Sequence, residues 1–165
     1  MCRSPVNIPV FTGARLIQPL ALCLLDLKSR NITSLPDSAD IEGPQWSPDG
    51  RFAAASDRGH QKLALFDFSK GTWSDLSDGI PYGWGIRWSA DSKNVYYQHI
   101  FGDQEQPIFR VRIADRHVEQ VTSSREMLRA DVLSYSMTGL TPDGSPLVSL
   151  VHSTSDVYAL ELNLP

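Results

Sequence analysis

Two short markers recur in phase along this chain, and a polypeptide built of copies has to fold as copies of one unit. The first is a β-rich stretch closing on a polar residue: Leu22-Cys23-Leu24-Leu25-Asp26, Leu63-Ala64-Leu65-Phe66-Asp67, Ile108-Phe109-Arg110-Val111-Arg112 and Val157-Tyr158-Ala159-Leu160-Glu161. Asp26, Asp67, Arg112 and Glu161 hold the same place, at steps of 41, 45 and 49 residues. The second marker is Trp46-Ser47-Pro48-Asp49-Gly50, repeated as Trp88-Ser89-Ala90-Asp91-Ser92 and Leu140-Thr141-Pro142-Asp143-Gly144, at steps of 42 and 52 residues. Self-similarity at a period of about 40–50 residues is the signature of propellers and other arrays.

Each marker has a physical reading. In Ser47-Pro48-Asp49-Gly50 the proline presets φ at the first central position of a tight turn, aspartate suits the second, and glycine relaxes the exit. Trp46, Trp88 and Leu140 place one large apolar residue before each turn, which suits packing between adjacent sheets. A β-rich run follows each turn, at 51–56, 94–101 and 146–152, then a polar loop, then the first marker, then a short turn and a more polar strand. Each unit therefore holds four short antiparallel strands, a to d, and four-stranded units repeated radially make a β-propeller. The fold class is all-β, a partial propeller of about three and a half blades. Residues 1–19 are expected to be irregular, because Pro5, Pro9 and Pro19 interrupt any regular element. Residues 20–36 supply strands c and d of one blade, 41–77 a blade, 82–122 another, and 132–164 a last blade without its outer strand. The only helical candidate is Ser123–Asp131, cappable by Ser123 or Ser124 but short.

These residues resemble the TolB-type propeller repeats, relatives of the WD-repeat propellers, whose hallmark is a Trp-Ser-Pro-Asp-Gly turn followed by an Ile-Tyr-hydrophobic-hydrophobic-Asp strand. The resemblance covers about residues 20–165. Trp46 to Gly50 matches in full, Ala90 and Ser92 depart from it in the second copy, and Leu140 replaces Trp in the third. The closing stretch from Asp156 to Pro165 also resembles the C-terminal end of bacterial sensory and regulatory proteins in which a propeller follows a winged-helix or kinase domain. The resemblance implies a ring of about six to eight blades in the intact protein, an extracytoplasmic, periplasmic setting, and a chain cut at its N-terminus. Missing blades or self-association are expected to cover the two open blade faces.

Composition removes several functional classes. The 15 Lys and Arg against 19 Asp and Glu leave a net charge of −4, so no basic footprint for nucleic acid exists. With 41% hydrophobic and 21% charged residues the chain is globular rather than disordered, and no apolar run is long enough for a membrane span. Leu20 to Leu25 has the look of a secretory core but ends at Asp26 without a small-residue cleavage site, and Leu20 to Leu27 is expected instead to be a buried strand. Cys2 and Cys23 are too few for a disulfide framework.

Candidate chemistry is sparse. His60, His99, His117 and His152 have no metal-ligand spacing, so no metal or cofactor is expected. His152, Ser153, Ser155 and Asp156 form a triad only on paper, without a nucleophile elbow, and no catalytic residue is assigned. Gly79, Gly83 and Gly85 read as loop glycines. Asp26, Asp67 and Glu161 could ring a channel and hold a cation, but an acid at the end of strand c more often caps the following turn, and Arg112 breaks the ring. Asn31-Ile32-Thr33 matches a glycosylation acceptor of low specificity. The most suggestive patch is Tyr82, Trp84 and Arg87, where glycine-flanked aromatics could stack on a peptide or sugar beside a charged donor; the alternative is that the tryptophans fill the inter-blade core.

The expected function is a non-catalytic module for protein interaction or ligand sensing within a longer bacterial protein, with a protein or peptide partner. The alternative is the substrate-gating propeller of a prolyl-oligopeptidase-family hydrolase. A third is a truncated gene product with no function of its own. Fold does not fix function, so the choice falls to the sites.

Overall fold

The computed structural model describes residues 21–57, 59, 62–78, 84–99, 106–123 and 132–152. They form twelve strands: β1 (Cys23–Leu25), β2 (Ile32–Ser34), β3 (Ile41–Trp46), β4 (Phe52–Asp57), β5 (Lys62–Asp67), β6 (Thr72–Asp78), β7 (Trp84–Trp88), β8 (Asn94–Gln98), β9 (Ile108–Arg112), β10 (Val118–Thr122), β11 (Val132–Leu140) and β12 (Pro146–His152). Every pairing joins chain neighbours antiparallel, giving the four-stranded sheets β3-β4-β5-β6 and β7-β8-β9-β10 and the two-stranded ribbons β1-β2 and β11-β12. No helix occurs among the described residues. This is a partial β-propeller, with two whole blades between two ribbons. The expected irregular N-terminal segment, the helical candidate beyond Ser123, and strand c of the last blade at 157–164 lie outside the described residues.

The sheets stack face to face, and the core is a series of layers between them. Ala54, Leu63, Leu65 and Leu76 of the first blade meet Ile86, Val95, Tyr97 and Val111 of the second, all buried. Tyr96 and Ile108 face the other way, into Tyr135 and Met137 of β11. Ala53 and Phe66 pack toward Leu35, Leu22 and Leu24 beside the first ribbon. Consecutive strand residues point to opposite faces, so Tyr96 and Tyr97 serve different layers. That explains why β4, β5 and β8 read as nearly unbroken apolar runs: an interior blade is buried on both faces.

The turns that interrupt these runs repeat one hydrogen-bond pattern. Gly50 N–H donates to Ser47 O at 2.9 Å, Ser92 N–H to Ser89 O at 3.0 Å and Gly144 N–H to Thr141 O at 2.9 Å. The Ser47 hydroxyl donates to Asp49 Oδ1 at 2.6 Å and accepts Phe52 N–H at 2.9 Å, while Asp49 Oδ1 accepts Arg51 N–H at 3.0 Å. Ser89 and Asp91 do the same for Asn94 and Lys93, and Thr141 and Asp143 for Ser145. The Ser/Thr-x-Asp spacing holds through all three copies, including the one that lacks proline and glycine. The exit position has positive φ in each: Gly50 at 72°, Ser92 at 60° and Gly144 at 88°. Ser92 thus adopts a conformation that costs a residue with a Cβ about 1–2 kcal/mol.

The inter-sheet role expected of the marker tryptophans divides. Trp88 packs against the core between the two blades and donates its indole N–H to Gln45 O at 2.8 Å. Leu140 packs against Tyr96 and its neighbours. Trp46 does not fill such a position: it is 51% exposed and stacks on Phe68 of its own blade, centroids 4.4 Å apart. The reason is the neighbour. Trp88 leans on β3, the first strand of the preceding blade, whereas the described residues before Trp46 offer only the ribbon β1-β2.

Candidate functional site

Of the three residues in the aromatic patch expected from the sequence, Tyr82 lies outside the described residues. Trp84 opens β7 and pairs with Gln98. Arg87 donates to Thr138 O of β11 from both Nε and Nη2, each at 3.1 Å, and to Ile86 O from Nη1 at 2.8 Å. Its guanidinium ties the second blade to the last ribbon through carbonyl oxygens, which accept what a ligand carboxylate would otherwise take.

The strand-c acids cap turns. Asp26 Oδ1 accepts Lys28 N–H at 2.8 Å and Ser29 N–H at 2.7 Å. Asp67 Oδ1 accepts the hydroxyl of Ser69 at 2.6 Å and its N–H at 2.9 Å. In the third copy, where Arg112 stands, Asp115 accepts His117 N–H at 3.1 Å and pairs with Arg112 at 2.8 Å. Glu161 lies outside the described residues. Among the described residues no three His, Cys, Asp or Glu converge as metal ligands.

Among the described residues, a concave surface lies between the two whole blades, at the rim made by the a–b and c–d turns. One cleft of about 490 Å³ is lined by Asp49, Arg51, Asp91, Lys93 and Arg112 among others. A second of about 340 Å³ is lined by Asp67, Lys70, Ser74 and Arg116. Arg51, Phe52 and Ile113 line both, so the two clefts adjoin, with Phe52 and Ile113 as apolar residues common to them, and together they make one groove. Its walls are tied together across the blades: Asp49 N–H donates to Ser92 Oγ at 3.1 Å and Arg116 Nη2 to Ser74 Oγ at 3.0 Å.

The groove's charges are unevenly committed. Its three aspartates are held by their own turns, and the hydroxyls of Ser47, Ser69 and Ser89 keep Asp49, Asp67 and Asp91 respectively below the usual carboxylate range. They are therefore anionic at neutral pH, and each is held in its turn through Oδ1. Lys70 and Lys93 stand 3.6 and 3.7 Å from Asp67 and Asp91, both at the exposed surface where such pairs add little. Five cations against three anions give the rim a positive bias on a chain whose net charge is −4. Reading the sequence strand by strand cannot find this groove, because its two walls come from segments about forty residues apart.

Similarity to solved structures runs in one direction. The structure of TolB from Acinetobacter baumannii superposes with a TM-score of 0.57 at 20% identity, covering 80% of this chain and 35% of that one. The fold is that of the TolB-type β-propellers. The putative TolB from Agrobacterium tumefaciens gives a TM-score of 0.55 at 18% identity, over 79% of this chain and 50% of that one. A structure reported in a study of two prolyl endopeptidases gives 0.52 at 18% identity, over 76% of this chain and 22% of that one. The chain thus spans half or less of each TolB-type structure. No family model matches the sequence, and no curated protein matches it. Among the described residues no helix is long and apolar enough to cross a membrane.

Proposed function

We propose that this chain is a non-catalytic stretch of TolB-type propeller that serves a longer bacterial protein as a protein-interaction or ligand-sensing module. The observation that carries the reading is the groove between the two whole blades: a concave, charged rim on an apolar floor, whose acids are engaged in holding turns. Such a surface offers contact area and cations, and it is built on strands that hold it still. The family resemblance supports an extracytoplasmic setting and a protein or peptide partner, and Tyr82 and Trp84 remain part of this proposal as a second contact patch. The test is to pan a random peptide library on the purified full chain and to follow the selected peptides by mass spectrometry. Saturable binding without cleavage is expected. Turnover that survives further purification, or the lack of any saturable peptide, overturns the reading.

The likeness to the prolyl endopeptidase structure favours one alternative, the substrate-gating propeller of a hydrolase. Genomic sequence that runs on from Pro165 into a domain with a Gly-x-Ser-x-Gly elbow would establish it; an upstream winged helix or kinase would establish the sensory setting.

A further inference from the structure

Two guanidiniums on the groove make no ion pair with its carboxylates. Arg116 donates from Nη2 to Ser74 Oγ at 3.0 Å, but its Nη1 is buried with no hydrogen-bond partner. Arg51 lies over the Phe52 ring, 5.0 Å from the centroid. Among the described residues neither has a carboxylate within ion-pair distance, whereas Lys70, Lys93 and Arg112 each have one. The positive φ of Arg116, 62°, belongs to the repeat and is not special to the groove, since Arg30 at 57° and Gly71 at 68° occupy the equivalent place. The orphaned nitrogen is special. Buried polar groups almost always find partners, and this one has none among the described residues, so Arg116 keeps donor capacity that its own surroundings do not use.

We propose that the groove binds an extended peptide bearing acidic side chains, with Arg51 and Arg116 receiving its carboxylates. A guanidinium presents parallel N–H donors that match a carboxylate in a bidentate pair, which no lysine can reproduce. The apolar floor of Phe52 and Ile113, shared by both clefts, accepts the intervening aliphatic side chains. An extended strand alternates its side chains at a period of two, so a peptide alternating glutamate and leucine fits both parts. The groove's own aspartates are held in their turns by hydroxyl and N–H partners, and the charge of Arg51 helps to keep Asp49 ionised without an ion-pair contact between them.

This inference rests on the proposed interaction role and names its ligand. The probe is a fluorescein-labelled peptide of alternating Glu and Leu, titrated with the full chain at low salt and read by anisotropy; an alternating Lys and Leu peptide and inorganic phosphate are the comparison ligands. The acidic peptide is expected to bind saturably, and its affinity to fall as salt rises. The double variant Arg51→Gln/Arg116→Gln is expected to weaken binding by about tenfold or more, and Arg116→Lys to recover only part of the loss. Circular dichroism and tryptophan emission check that the variants stay folded, and Lys28→Gln/Lys62→Gln, at positions that line neither cleft, provides a variant with the same charge change and little expected effect. Unchanged affinity in the double arginine variant, equal binding of the basic peptide, or full displacement by phosphate at concentrations matching the peptide overturns the proposal. If library-selected peptides bind while the acidic probe does not, the inference falls and the interaction role stands. If neither binds, both fall.

Discussion

The side-chain amide of Gln98, only 2% exposed, bridges two blades by acting as a short length of strand: its Nε2 donates to Tyr135 O at 3.1 Å and its Oε1 accepts Met137 N–H at 2.7 Å. Both partners are backbone groups of β11 on the face that packs against Tyr96 and Ile108. The pairing of donor with acceptor also fixes which way round the amide sits. Replacing Gln98 by Leu leaves two backbone groups unmatched, each costing about 1–3 kcal/mol. A loss of roughly 2–6 kcal/mol is expected in urea unfolding, and a change too small to resolve would mean that water replaces the amide.

The two marker tryptophans make a controlled pair. Trp88→Phe removes the indole bond to Gln45 O and is expected to cost about 1 kcal/mol beyond the lost area. Trp46→Phe keeps a ring on Phe68 and loses no such bond, so its cost is expected to be the smaller of the two. Acrylamide should quench Trp46 more readily than Trp88. Equal costs and equal quenching would contradict the asymmetry.

Backbone strain sits at Ser92, which holds a positive φ where the other copies have glycine, yet it also accepts Asp49 N–H across the blades. Ser92→Ala removes the acceptor and keeps the strain; Ser92→Gly removes both. The glycine variant is expected to be more stable than the alanine variant by about 1 kcal/mol, as read from thermal midpoints.

Arg30 lies at φ 57° on an exposed c–d turn, in the place that Gly71 fills in the next copy. Arg30→Gly is expected to raise stability by up to about 1 kcal/mol, provided that the relief outweighs the added freedom of the unfolded chain. A drop in the denaturant midpoint would show that the entropy of glycine wins.

Acid should loosen the turns together. Asp49, Asp91 and Asp143 lie below their ordinary value of 3.8, chiefly through the hydroxyls of Ser47, Ser89 and Thr141. A carboxyl lowered in the folded state binds a proton more readily when unfolded. Its stabilisation is therefore complete above the ordinary value and is lost as pH falls below it, through the lower folded value. Urea midpoints are expected to be level from pH 7 to about pH 5 and to fall below about pH 4, with a shallower fall in Asp49→Asn. A midpoint flat down to pH 2 would show that these bonds do not favour the charged form.

What the amino-acid order determined by itself is everything whose cause is short-range. The period, the strands and the a–b turns follow from apolar runs and from a Ser/Thr-x-Asp spacing that closes within five residues, so Ser89 and Asp91 build their turn even without proline and glycine. The acid-capped c–d turns at Asp26 and Asp67 were legible for the same reason. Tertiary structure decided what each copy meets. Gln98 carries no local mark of its role, since its partners stand 37 and 39 residues away. Trp46 and Trp88 hold the same place in the marker and end in different surroundings, one on Phe68 and one against Gln45; the Arg51–Arg116 groove exists only where two sheets stack. Hydrogen bonds and turn geometry are settled by the next few residues, while burial and charge depend on which copy is the neighbour.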